Sequence, residues 1–157
     1  MRTEKRVEDS RSENTYLIMS KHINGYGRLF GGVLMQWIDE LASTVARRHA
    51  GSFVTTACID NLNFKAAAYM GDTVVLIGKL TYVGKSSMEV RVDTYVENMD
   101  GVRKTINRAY LVMVALDQDG NKVEVPGLKI ETESEKAEWI GGEKRYQLRK
   151  QRRKEGF

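Results

Sequence analysis

The chain is poor in the residues that staple, kink or ligate: one cysteine, one proline and two histidines in 157 residues. A single thiol, Cys58, excludes an intrachain disulfide and fits a reducing compartment. The two histidines, His22 and His49, make no metal-ligand cluster, and neither a metal nor an organic cofactor is signalled. No apolar run approaches the roughly 20 residues that a membrane-spanning helix needs. The stretch from Met1 to Arg11 is charged and lacks the apolar core of a secretory signal. These absences lead to the expectation of a cytoplasmic protein with no membrane span.

At 41% hydrophobic and 29% charged, the chain has the composition of one globular domain able to bury a core. The net charge of +4 hides an asymmetry. Glu143 to Lys154 holds seven basic residues and one acid, a local +6 that leaves the rest of the chain at −2. The body is therefore not a basic, nucleic-acid-binding type of domain. The basic segment has one tyrosine, Tyr146, and no recognised binding motif, so it reads as a solvated helix face with no nucleic-acid partner.

Periodicity gives a provisional order of elements. Residues 1–13 read as a flexible arm, 14–130 as the main domain and 131–157 as a basic helical tail broken at Gly141-Gly142. A short strand is expected at Thr15–Met19, then a Gly-rich loop from Lys21 to Gly32. A helix follows over about Val33–His49, stopped by Gly51. Strands are expected at Phe53–Phe64 and Thr73–Val83. From Met88 to Glu97, apolar and polar residues alternate. Asp100-Gly101 signals a hairpin, and Ile106–Leu116 reads as a covered central strand. Asp119-Gly120 is a further turn, and Pro126 marks the exit from the sheet. One early helix before several antiparallel strands makes an α+β domain. A single helix covers only one face of such a sheet, so self-association is expected to cover the rest.

On the 3.6-residue period, Leu34, Ile38, Leu41 and Val45 form an apolar stripe of the helix, and Gln36, Glu40, Ser43 and Arg47 a polar file. Asp39 lies between them, in a file with Met35, Ala42 and Ala46. An acid among apolar neighbours is kept when it is paired, protonated or used. Gly31-Gly32 precede the helix, where unpaired N–H groups and the positive dipole end favour a developing oxyanion. Asn24 and His22 share the same loop, and either turn chemistry or catalysis accounts for such a pair.

The segment His22-Ile-Asn-Gly-Tyr-Gly-Arg-Leu-Phe-Gly-Gly, continuing through Asp39, resembles the hotdog-fold acyl-CoA thioesterases of the cytosolic acyl-CoA hydrolase type. That family has His-x-Asn-x-x-Gly-x-(Leu/Ile)-x-Gly-Gly at the mouth of a long helix that carries an acid further along. The likeness extends over about residues 14–120, including Gly71-Asp72, Gly84-Lys85-Ser86-Ser87 and Arg108-Ala109-Tyr110. It departs at Ala66, where relatives often have proline. The resemblance implies a hotdog fold, with an antiparallel sheet wrapped round the helix and the active site at a dimer interface. It also implies a homo-oligomer, at least a dimer and by family habit a trimer of dimers.

The reaction implied is hydrolysis of acyl-CoA to a free fatty acid and coenzyme A. Asp39 would serve as base or nucleophile, Asn24 would position water or carbonyl, and a Gly31 or Gly32 amide would hold the oxyanion. His22, the Asn61–Lys65 segment with Asn63 and Lys65, the turn Gly84, Lys85, Ser86, Ser87, and Arg108 would bind coenzyme A. Lys85 offers a phosphate its cation beside hydroxyls and turn N–H groups. A non-catalytic acyl-CoA-binding hotdog module is the alternative, which loss of Asp39 would favour. A hydratase on the same fold would need a histidine–acid pair.

Overall fold

The computed structural model describes residues 2–60 and 62–157. The N-terminal segment forms β1 (Glu4–Arg6) and one helical turn, α1 (Val7–Ser10), before β2 (Ser12–Leu17). A 3-10 turn at Ser20–His22 leads through the Gly-rich loop into α2 (Gly31–Ala50). Then come β3 (Phe53–Asp60), β4 (Thr73–Val83), β5 (Ser87–Glu97), β6 (Arg103–Leu116), β7 (Gly127–Lys129) and α3 (Glu133–Glu155). The main sheet is antiparallel throughout, in the order β2-β4-β5-β6-β3, and β1 pairs in parallel with β7.

The sheet curls around α2 because both present continuous apolar surface. Leu34, Ile38, Leu41, Ala42, Val45 and Ala46 of the helix are buried, as the periodicity predicts. They meet the inner-facing residues of the strands, among them Leu76, Val90, Val92, Leu111 and Met113. The approach is closest at Gly78 of β4, where an added Cβ would come within 3.1 Å of Val45. Gly51 ends α2 in the left-handed conformation, at φ 67°, its N–H bonded to the Arg47 carbonyl.

The structure corrects several boundaries. The first strand is Ser12–Leu17 instead of Thr15–Met19, and β3 stops at Asp60, so Leu62–Phe64 are not strand. The N-terminal residues are not a solvated arm. Val7 and Ser10 are buried, and Lys5 donates to the His49 carbonyl at 2.9 Å, tying β1 to the end of α2.

The largest correction concerns the basic tail, which is one uninterrupted helix lying on the outer face of the sheet. Thr132 caps it, accepting from the Glu135 N–H at 3.1 Å. The Gly141-Gly142 pair permits close packing instead of breaking the helix, since a Cβ on Gly142 would lie 2.6 Å from Cβ of Tyr82. Trp139 and Tyr146 pack on the Tyr82 ring at 4.4 and 5.6 Å between centroids. Arg145, Arg149 and Arg152 of the tail are paired with acids of the strands. Glu89 accepts from Arg145 at 2.8 Å and also from Arg149. Asp60 accepts from Arg149 and Arg152, each at 3.1 Å. Arg91 links Asp93 at 2.8 Å to Glu138 at 2.5 Å. Buried charges stand only when paired in this way. The outer face is therefore covered largely by the chain itself.

Candidate active site

The Gly-rich loop is folded by Asn24. Its side-chain oxygen accepts from the N–H groups of Tyr26 (2.9 Å) and Arg28 (3.2 Å), and its backbone closes bonds with Arg28 and Gly27. Two N–H donors on the oxygen fix the orientation of the amide. Its NH2 group has no partner among the described residues and can donate to a ligand.

His22 is held differently. Its Nδ1 accepts from the Met19 N–H at 3.0 Å, and its ring meets Trp37 edge-on at 5.0 Å. Trp37 in turn stacks on Tyr16 at 4.1 Å. His22 therefore anchors the loop to α2 and β2, leaving Nε2 as its open atom.

The Phe30 carbonyl caps α2, accepting from Val33 and Leu34 at 3.0 and 3.1 Å. The N–H groups of Gly31 and Gly32 precede those bonds and have no backbone partner among the described residues. A Cβ on Gly31 would press on the Phe64 ring at 3.3 Å, and one on Gly32 would meet the Phe30 ring at 2.6 Å. A cavity of about 410 Å3 opens at this helix mouth, lined by Asn24, Arg28, Gly31, Phe64 and Lys65 among others. Asn63 lies beside it, its carbonyl accepting from Asn107 at 2.6 Å. Asn61 of the same segment lies outside the described residues.

Asp39 is half-buried, off the apolar stripe of α2. Its Oδ1 accepts from the Thr56 hydroxyl of β3 at 2.5 Å. Thr56 is a partner of this candidate acid that sequence reasoning missed. The signal was faint: a threonine in a β-branched strand, with only the register of β3 against β6 turning it inward beside Met113. Asp39 does not line the cavity at the helix mouth. Eight residues separate it from Gly31, or about 12 Å along the helix axis.

The remaining candidates divide between two places on the outer face. Lys85, Ser86 and Ser87 line a second cavity of about 610 Å3 beneath α3. Their turn is closed by the Gly84 N–H donating to the Ser87 carbonyl at 2.9 Å, and a Cβ on Gly84 would collide with the Ser87 hydroxyl. Arg108 is instead paired with Asp93 at 2.8 Å. A third cleft, at the far end of α2 beside Arg47, Arg48 and Phe53, contains none of the candidates. Among the described residues, no group of three or more His, Cys, Asp or Glu side chains is arranged to hold a metal ion.

A family model described as the thioesterase superfamily matches residues 26–102. An uncharacterised acyl-CoA thioester hydrolase of Bacillus subtilis is 38% identical over 129 residues, 82% of this chain and 75% of that protein. The chain also matches cytosolic acyl coenzyme A thioester hydrolases of rat, mouse and human, of whose length it spans about 40%. Among solved structures, an acyl-CoA hydrolase of Staphylococcus aureus in complex with butyryl coenzyme A, coenzyme A and coenzyme A disulfide superposes with a TM-score of 0.91. It is 33% identical, covering 97% of this chain and 93% of that one. Alanine variants of that enzyme at an aspartate, an asparagine and a threonine have also been solved. A hexameric acyl-CoA thioesterase superposes at 0.91 with 38% identity, over 96% of this chain and 97% of the other. The chain belongs to the thioesterase superfamily, among its hotdog-fold acyl-CoA thioester hydrolases.

Proposed function

We propose that this protein hydrolyses fatty acyl-CoA to a free fatty acid and coenzyme A, with each active site assembled from two copies of the chain. The observation that carries this reading is Asp39, half-buried midway along α2 and fixed by the Thr56 hydroxyl. A solvated surface acid needs no such fixing. Support for the shared site comes from length. Asp39 and the amides at the helix mouth lie about 12 Å apart along one helix, too far to act on one carbonyl. A second copy running antiparallel brings its Asp39 to the first copy's Gly31, Gly32 and Asn24. The hexameric state of a 38%-identical relative agrees with such assembly, a trimer of dimers being its simplest form.

The chemistry follows from the groups present. The thioester carbonyl oxygen receives hydrogen bonds from the unpaired N–H groups of Gly31 or Gly32 and from the Asn24 NH2. The Asp39 carboxylate takes a proton from water as the water oxygen bonds to the carbonyl carbon. The tetrahedral intermediate collapses, the C–S bond breaks, and the thiolate leaves to be protonated as coenzyme A. If Asp39 attacks directly, its oxygen bonds to the carbonyl carbon, the C–S bond breaks with loss of the thiolate, and water then cleaves the resulting anhydride at the aspartyl carbonyl. Single turnover in 18O-water separates the two routes, since only the second labels Asp39. Neither needs a metal or an organic cofactor. The coenzyme A moiety is bound by Lys65 and Asn63 at the helix mouth and by the Gly84–Ser87 turn. Arg108 is withdrawn from this set because it is spent on Asp93. Three relatives are named as cytosolic and no helix is long and apolar enough to cross a membrane, which fits action in the cytoplasm.

Free-thiol release from short to long acyl-CoAs, with wild type and Asp39→Ala side by side, tests the proposal. Turnover that collapses in the variant, with the oligomer intact, supports it. Binding without thiol release at any chain length replaces it with the non-catalytic binding module.

A further inference from the structure

The hydrogen bonds that the Arg2 side chain makes among the described residues all go to backbone carbonyls, and none to a carboxylate. Its Nε donates to Val125 at 2.7 Å, and one terminal nitrogen donates to Gly84 at 2.5 Å and to Lys85 at 3.4 Å. Val125 lies just before β7, while Gly84 and Lys85 form the turn between β4 and β5. One guanidinium therefore ties together two segments that are far apart in the chain.

Arg2 reaches them from a fixed base. β1 pairs in parallel with β7, Glu4 beside Gly127, and the Gly127 N–H donates to the Thr3 carbonyl at 2.7 Å. A Cβ on Gly127 would meet Cγ of Glu4 at 3.3 Å, so the glycine lets the two backbones approach. Lys5 holds the same strand on the His49 carbonyl, and His49 Nε2 donates to the Pro126 carbonyl at 2.7 Å. Val125, Pro126 and Gly127 are thus each held by a different partner.

The clamp sets how the turn faces its surroundings. In a planar trans peptide the carbonyl of one residue and the N–H of the next point in opposite directions. The Gly84 carbonyl is held by Arg2, and the Lys85 carbonyl by the Val125 N–H at 2.9 Å as well as by Arg2. The N–H groups of Lys85 and Ser86 are thereby turned away from these donors, and neither has a backbone partner among the described residues. Successive free N–H groups form a seat for an anion. A cation on the carbonyl side polarises the same peptide units further. Lys85 and Ser86 line the cavity beneath α3, and Arg2 does not.

We propose that Arg2 is a positioning residue for substrate binding, clamping the Gly84 and Lys85 carbonyls so that the turn keeps its N–H groups and the Lys85 side chain set for a phosphate. This rests on the reading above that the turn binds coenzyme A, and adds to it a residue of the N-terminal segment that never touches the substrate.

The test assays wild type, Arg2→Ala, Arg2→Lys and Lys85→Ala with acyl-CoA and with acyl-pantetheine, which lacks the nucleotide. Arg2 is exposed, so its truncation leaves the core untouched. For Arg2→Ala the expected result is a rise of about five- to tenfold in KM for acyl-CoA, with kcat within about twofold and KM for acyl-pantetheine unchanged. Arg2→Lys keeps the charge but cannot span Val125 and Gly84, and should recover only part of the loss. Full recovery would show that charge alone acts and would overturn the clamp. Equal rises for both substrates would assign Arg2 to general stability and overturn it too. If Lys85→Ala raises KM for acyl-CoA and Arg2→Ala does not, the clamp fails and the turn stands as the coenzyme A site. If neither variant raises it, the reading of the turn fails and takes the clamp with it. If wild type hydrolyses neither substrate, the hydrolase reading fails, and calorimetry of coenzyme A binding to wild type and Arg2→Ala decides. Equal affinities then overturn the clamp.

Discussion

The Thr56 hydroxyl of β3 donates to Oδ1 of Asp39 on α2 at 2.5 Å, joining the edge strand to the helix at the acid assigned to catalysis. Among the described residues the bond leaves Oδ2 without a partner, and it fixes where that oxygen points. Thr56→Val keeps the branched shape and removes the donor. The expected outcome is a fall in kcat of about tenfold with KM little changed, because positioning of a catalytic group is lost and substrate binding is not. Thiol-release kinetics over a substrate series check this. A rise in KM alone would assign Thr56 to binding.

The glycine pair in α3 makes a sharper structural prediction, because its two members differ. A Cβ on Gly142 would lie 2.6 Å from Cβ of Tyr82 and 3.1 Å from the Glu89 carboxylate, both held by the sheet. A Cβ on Gly141 meets only the tip of the Arg145 side chain, at 3.1 Å. Gly142→Ala should therefore cost about 1–3 kcal/mol through overpacking. Gly141→Ala should be neutral or gain up to about 1 kcal/mol from helix propensity, provided Arg145 keeps its hold on Glu89. Thermal unfolding of the two variants decides the matter. Equal losses would mean that the helix does not lie on the sheet as described.

The same pair marks the limit of what the sequence discloses. Local rules read Gly-Gly inside a helical pattern as a break, and nothing in the local pattern reveals a tyrosine 60 residues earlier that needs the space. Glu89 and Asp93 behaved likewise. Strand alternation sets them on the face opposite the apolar residues, but it does not disclose the charges that meet them there, which come from Arg145, Arg149, Arg91 and Arg108. The α2 stripe, the strand at Thr73–Val83 and the stop at Gly51 were legible because each is set by neighbours in the chain. Asn24, Gly31, Gly32 and Asp39 stood out by the motif they share with the family. Thr56 did not, since its role depends on which face the register of β3 presents.

His49 predicts a pH dependence of stability. It is fully buried near the end of α2, its Nε2 donating to the Pro126 carbonyl at 2.7 Å, while Nδ1 has no partner among the described residues. Burial pushes its pKa below the ordinary 6.5; Lys5 and Arg2 push the same way, and Asp9 and the Pro126 bond oppose them. The unfolded chain therefore binds a proton more readily than the folded one, and stability falls as pH drops below about 6.5. Unfolding temperatures between pH 7.5 and 5.5 should show this decline, and His49→Gln, which keeps a donor for Pro126, should flatten it. An equal decline in the variant would assign the effect to other groups.

The shared site yields the last prediction by counting. If every site takes Asn24 from one chain and Asp39 from its partner, then Asn24→Ala and Asp39→Ala homodimers each have both sites damaged. In a mixed dimer one site combines both lesions, while the other has Asn24 from the Asp39→Ala chain and Asp39 from the Asn24→Ala chain. That second site is intact. Random reassortment of equal amounts makes about half the dimers mixed, so about a quarter of wild-type activity should return after two inactive proteins are denatured and refolded together. Refolding each variant alone provides the baseline, and a tagged chain confirms that subunits have exchanged. Exchange without recovered activity would place Asn24 and Asp39 in the same site of one chain and overturn the shared site, because each mixed dimer would then carry one lesion in each of its two sites.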